Sequence, residues 1–160
     1  MPDPMLTRIL EMLDAAGVEY RHIEHEPTYT SEQSAQARGE DIRIGGKALL
    51  VKAGDAFRLF VLSARLKLDN AAIRQRLNER KTRFATAEEL MKLTGLVPGS
   101  VPPFGRPILP FDLYIDTSII ANQRIAFNAG SLTHSVIMPV PDYLRLADPE
   151  IFPFALPWGV

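Results

Sequence analysis

Two apolar runs, Lys47-Ala48-Leu49-Leu50-Val51-Lys52 and Phe57-Arg58-Leu59-Phe60-Val61-Leu62, flank the short turn Ala53-Gly54-Asp55-Ala56. Aliphatic and aromatic residues on both sides of a glycine-bearing turn predict a β-hairpin. It is the strongest strand pair in the chain, and the fold has to be built around it. Before it, Met5, Ile9, Met12, Leu13 and Ala16 recur at helical spacing, and Gly17 is a natural stop. Val18 to His25 alternates like a half-buried strand ended by Pro27, and Ser31 with Ser34 opens a short polar helix reaching about Gly39. After the hairpin, Asp69 caps a helix to about Leu77, and Thr86 with Glu89 makes a capping-box pattern for a helix to about Thr94.

The stretch Gly95 to Gly105 is too rich in glycine and proline for regular structure and too apolar for a linker, so it reads as a shaped loop. Residues 112–116, 124–128 and 134–138 supply three more strands, and Pro141 to Leu146 starts a last helix. Pro149, Pro153 and Pro157 punctuate a tail carrying Phe152, Phe154, Leu156 and Trp158, which should lie extended and pack on something. The expectation is an α/β fold: a single compact domain over residues 1–160, with a mixed, largely antiparallel sheet and flanking helices. Its core covers about 5–147, and an extended proline-rich tail covers 148–160.

The 160 residues suffice for one domain, with 46% hydrophobic and 23% charged residues as in ordinary globular proteins. No stretch approaches the roughly 20 apolar residues of a membrane span, and the start lacks the basic and apolar regions of a secretory signal, so a cytoplasmic setting is expected. The absence of cysteine excludes disulfides, thiolate metal sites and cysteine nucleophiles. His22, His25 and His134 are the only histidines; the first two lie three apart on an expected strand, facing opposite ways, so no metal site is expected. No serine sits in a nucleophile elbow, Ser100 reading better as a loop-shaping residue, and no phosphate-loop or dinucleotide fingerprint is present, so no cofactor is expected.

A net charge of -1 argues against gripping long nucleic acid by charge alone. Yet Arg65, Lys67, Arg74, Arg76, Arg80, Lys81 and Arg83 face only Asp69 and Glu79 between positions 65 and 83. This segment is either a basic patch for a polyanion or the solvated face of a helix and loop. Lys47 follows Gly45-Gly46 at the start of an otherwise apolar strand. It is therefore either a charge offered at an open strand end or a lysine snorkelling at a sheet edge.

Gly45-Gly46-Lys47-Ala48-Leu49-Leu50-Val51 resembles the lysine-bearing strand of the YbaK and prolyl-tRNA synthetase-associated editing domains. Gly99-Ser100-Val101-Pro102-Pro103-Phe104-Gly105 resembles that family's GxxxP loop, and the order helix, strand, His25-Glu26-Pro27, Thr30 and short helix matches its opening. The resemblance spans about Leu6 to Leu146. It implies a pocket for the terminal adenosine and aminoacyl group of tRNA, and hydrolysis of mischarged aminoacyl-tRNA, with a tRNA(Pro) species among the substrates to consider. In that reading Lys47 is catalytic. Thr30, Gly99, Ser100, Val101, Pro102, Pro103, Phe104, Asn128 and His134 bind substrate, the backbone N–H groups of 99–101 acting as donors. Arg74, Arg76, Arg80, Lys81 and Arg83 contact tRNA. The implied partners are the acceptor end of aminoacyl-tRNA and an aminoacyl-tRNA synthetase, and the chain is expected as a monomer or weak homodimer. Two departures bear on the substrate: alanine-specific members have asparagine after the lysine where this chain has Ala48, and a late-strand histidine where it has Asn128. A non-catalytic tRNA- or synthetase-binding module and a hydrolase of another small acyl ester remain alternatives.

Overall fold

The computed structural model describes residues 3–158. In chain order it contains α1 (Pro4–Ala15), β1 (Arg21–Glu24), α2 (Ser31–Arg38), a 3-10 turn (Ile42–Ile44), β2 (Gly46–Ala53), β3 (Ala56–Ser63), β4 (Leu66–Leu68), α3 (Asn70–Leu77), β5 (Thr82–Phe84) and α4 (Ala87–Thr94). After the long loop come β6 (Leu113–Ile115), α5 (Thr117–Ile120), β7 (Arg124–Asn128), β8 (His134–Pro139), α6 (Val140–Ala147), β9 (Glu150–Ile151) and β10 (Ala155–Pro157). Local chemistry sets the helix ends. Asp3, Thr30, Asp69 and Thr86 each accept backbone N–H bonds at an N-terminus, and Thr86 with Glu89 completes the expected capping box.

The hairpin β2–β3 forms as expected, with Lys47 opposite Leu62 and Ala53 opposite Ala56. It is the centre of a five-stranded sheet in the order β5-β2-β3-β6-β9, where β5 and β2 pair antiparallel and β6 and β9 extend the sheet in parallel. A second sheet, β1-β8-β7, and a two-stranded ribbon, β10-β4, are antiparallel. The fold is thus α/β with largely antiparallel pairing, divided among three sheets rather than one.

Both faces of the central sheet are buried, which is why its strands read as continuous apolar runs rather than as alternation. Leu50, Leu59, Val61, Leu113 and Ile115 face one core, shared with Ile9 and Leu13 of α1, Phe104, Phe127 and Tyr143. Val51, Phe60, Leu62 and Tyr114 face a second core with Ile73 of α3, Phe152 and Phe154. The tail does lie extended, but it does more than cover a finished core ending near 147. Phe152 and Phe154 are its buried wall against Tyr114 and Phe60, and Asp116 accepts the Phe154 N–H at 2.6 Å. The ends of the expected 1–160 span, residues 1–2 and 159–160, lie outside the described residues. β1 is shorter than the alternation of Val18 to His25 suggests, because the Val18 N–H still bonds back to Leu13 at the exit of α1. Among the described residues no helix is long and apolar enough to cross a membrane.

Candidate active site

Lys47 enters its site through two glycines placed where neighbouring elements press close. A Cβ on Gly46 would stand 2.6 Å from Ile125 Cδ1, and one on Gly45 would stand 2.9 Å from Ala64 Cβ. The missing side chains let the start of β2 press against β3 and β7, where Gly45 bridges Ala126. The lysine that follows is half-buried, and among the described residues no carboxylate reaches ion-pairing distance of its ammonium. Burial lowers its pKa below the ordinary lysine value, and the more distant Glu32 only partly counters this. An ammonium held without a counter-ion at the mouth of a cavity can meet an anion or a developing oxyanion.

The cavity, about 180 Å³, lies between α2, the start of β2 and the glycine-proline loop. Of the residues the sequence points to, Lys47, Thr30, Gly99, Val101 and Asn128 line it together. Thr30 does so as the cap of α2, its hydroxyl accepting from the Gln33 N–H at 3.1 Å. The others are elsewhere. Ser100 is buried, its N–H and hydroxyl bonding the Val97 carbonyl, so among the described residues the N–H groups of Gly99 and Val101 are the expected loop donors left open. Pro102 and Pro103 are buried, with the Pro103 carbonyl receiving the Tyr143 hydroxyl at 2.6 Å, and Phe104 packs edge-on against Phe127 and Tyr143. They shape the loop from behind. His134 is on the other face of β8 from Ser135, meeting the His22 ring nitrogen at 3.0 Å and Glu24 at 3.5 Å, outside the pocket. Strand alternation decides this: Ser135 points inward, so His134 cannot.

The structure adds a residue that no sequence motif marks. Arg38, in the last turn of α2, is 8% exposed and lines the pocket, with no carboxylate among its hydrogen-bond partners. Desolvation pulls its pKa down from the ordinary arginine value to about 10. Its Nε donates to Ser135 Oγ at 3.0 Å and its Nη2 to Asn128 Oδ1 at 3.1 Å. Ser135 Oγ also donates to Asn128 Oδ1 at 3.2 Å and lies 2.8 Å from His25 Nε2. With two donors on Oδ1, the Asn128 amide can face only one way, and its Nδ2 donates to the Gly99 carbonyl at 2.7 Å. A buried guanidinium thereby fixes an amide, and the amide fixes the loop. The available signal was the i, i+4 spacing of Ser34 and Arg38, which with Ala35 form the buried face of an otherwise polar helix.

The basic segment divides. Arg74, Arg80, Lys81 and Arg83 line a second, open concavity with Lys52, about 490 Å³ in volume. Arg76 turns away, bonding Glu150 at 3.2 Å and lying over the Phe152 ring. Arg83 forks onto Glu89 at 2.7 and 2.9 Å, and this pairing, helped by the Thr86 N–H, holds the Glu89 carboxyl down at about 2. Among the described residues no group of three or more histidines and carboxylates is arranged to hold a metal.

The chain is similar to known proteins. Residues 25–146 match the model of the aminoacyl-tRNA editing domain. Over 153 residues the chain is 33% identical to the multifunctional Ser/Thr-tRNA deacylase ProXp-y of Escherichia coli (strain K12), covering 92% of this chain and 90% of that one. It is 24% identical over 143 residues to the prolyl-tRNA editing protein ProX of Acetoanaerobium sticklandii, covering 86% and 87%. A solved structure described as a candidate trans-editing enzyme for prolyl tRNA synthetase shares the fold, with a TM-score of 0.82 at 23% identity over 98% of this chain and 99% of that one. With three-quarters of its length matched and a relative at 33% identity, the chain belongs to the aminoacyl-tRNA editing domain family.

Proposed function

We propose that this protein hydrolyses the ester bond of wrongly charged aminoacyl-tRNA. The observation that carries the proposal is the half-buried ammonium of Lys47, with no carboxylate at ion-pairing distance among the described residues, lining the same small pocket as Gly99 and Val101. Water adds to the ester carbonyl carbon, and the carbonyl oxygen becomes an oxyanion that Lys47 and the free N–H groups of Gly99 and Val101 stabilise. The carbon–oxygen bond to the terminal ribose then breaks, the ribose oxygen takes a proton, and free amino acid and tRNA leave. No side chain in the pocket is an evident general base, so positioning and charge carry the catalysis, and a neighbouring hydroxyl of the substrate ribose is suited to guide the water. Thr28 and Ser34, whose hydroxyls meet at 2.8 Å on the pocket wall, suit a small polar aminoacyl group. That is consistent with the Ser/Thr-tRNA named for the Escherichia coli relative; a tRNA(Pro) species remains among the carriers to test.

The acceptor end of aminoacyl-tRNA is the proposed partner, with the concavity of Arg74, Arg80 and Lys81 as a further site for its phosphates. The protein works as a monomer or weak homodimer in a cytoplasmic setting, near a synthetase that makes the error. A panel of mischarged tRNAs incubated with wild-type protein and with Lys47→Ala tests the reading. Release of one or a few amino acids by the wild type alone is expected. A wild type inert toward the whole panel but able to bind charged tRNA assigns the fold to a binding module instead, and release of amino acid from simple esters but not from tRNA assigns it to small acyl esters.

A further inference from the structure

The tail ends near Trp158, the only tryptophan in the chain. Phe152 and Phe154 before it are buried, but Trp158 is 64% exposed. Its position is nonetheless set: β10 pairs with β4 through Leu156 opposite Lys67 and Pro157 opposite Leu66, and the next residue is delivered to the active-site mouth. There the Lys47 ammonium stands 5.2 Å from the indole centroid. The same ring lines a separate open cleft of about 630 Å³ with Arg43, Arg65, Ser63 and Asn122. Cleft and pocket adjoin, because Ile42 and Ala64 line the pocket while their chain neighbours Arg43, Ser63 and Arg65 line the cleft. Asp41 bridges Arg43 at 3.4 Å, so with Arg65 and Lys47 the rim keeps a positive balance.

An exposed indole that shares a cleft with two guanidinium groups has the chemistry of a single-strand RNA platform: the ring offers a stacking surface to any base, and the cations meet the backbone phosphates. The aminoacylated nucleotide occupies the pocket, so the unpaired nucleotides just before it have to pass over its rim. We propose that Trp158, with Arg43 and Arg65, forms a stacking site for the unpaired nucleotides preceding the aminoacylated end of tRNA; this rests on the deacylase reading above. The apolar tail then has two tasks, completing the second core with its phenylalanines and presenting its tryptophan to RNA.

The single tryptophan makes the test direct. Titrating wild-type protein with the uncharged ribotrinucleotide CCA should quench and shift its fluorescence. An oligomer with abasic sites at both cytidine positions should bind about 10-fold more weakly by anisotropy, a typical base-stacking increment. Trp158→Ala should bind the intact trinucleotide as weakly as wild type binds the abasic one, and Trp158→Phe should restore most of the difference. Equal binding of intact and abasic oligomers by wild type, or wild-type affinity in a folded Trp158→Ala, overturns the site. Deacylation of mischarged tRNA without fluorescence quenching overturns the stacking site alone, and quenching without deacylation overturns the proposed reaction alone.

Discussion

Replacing Arg38 with methionine separates its role in folding from its role in the site. The guanidinium makes two charge-assisted hydrogen bonds, to Ser135 Oγ and Asn128 Oδ1, and each contributes about 1.5–3 kcal/mol. Against them stands the cost of burying the charge. The fall in pKa from the ordinary arginine value to about 10 corresponds to roughly 3 kcal/mol of forfeited solvation. The two nearly offset, so a side chain of similar length without charge should change stability by about 0–3 kcal/mol. In a domain this size that shifts the midpoint by no more than about 12 °C. Asn128 keeps the Ser135 donor but loses the one that locks its amide, and the Gly99 carbonyl loses a firm anchor. Displacement of a catalytic backbone by about 1 Å costs on the order of 100-fold in rate. Arg38→Met should therefore stay folded and lose about 10- to 100-fold in single-turnover deacylation. Arg38→Lys should fall between, because one ammonium cannot reach two acceptors that the guanidinium meets with different nitrogens. Thermal melting and single-turnover assays on the same preparations decide the matter. Wild-type turnover in Arg38→Met would refute the chain from Arg38 through Asn128 to the loop.

Other consequences are open to similar tests. Lys47→Met should abolish deacylation without loss of stability at neutral pH, because burial disfavours the charged lysine in the folded state. For the same reason wild-type activity should fall as pH rises at a lower pH than a free lysine would set, while the penalty of holding the charge is relieved over that window; a rate flat up to the ordinary lysine pKa contradicts this. Gly99 has φ +88°, and an added Cβ there meets nothing closer than Leu132 Cδ2 at 3.5 Å, so Gly99→Ala should cost about 1–2 kcal/mol through backbone conformation rather than collision. It should lower turnover beyond what the melting shift explains, and full activity would remove the loop from the site. Converting Arg74, Arg80 and Lys81 together to alanine should weaken tRNA binding and reduce the salt slope by up to about 0.9 for each phosphate no longer neutralised. An unchanged slope means the acceptor stem docks elsewhere.

The sequence by itself determined what depends on neighbours along the chain. The hairpin, the capping box and caps of the helices, the three later strands and the extended tail all follow from residues within a few positions of one another. The motif residues Lys47, Thr30, Gly99, Val101 and Asn128 were legible from the family resemblance, and they line one pocket. Elements of two to four residues, such as β4, β5, β9 and α5, were not, because so short a stretch shows no period and exists only through its partners. Tertiary structure alone decided the rest. Arg38 reads as a surface charge at the end of a polar helix until β7 and β8 close over it, and His134 reads as a site residue until the register of β8 turns it away. Trp158 reads as one more apolar tail residue, and only the pairing of β10 with β4 sets it beside Lys47. For Arg38 and Trp158 what changes the meaning of the residue is an encounter between segments tens of residues apart, which no local pattern encodes.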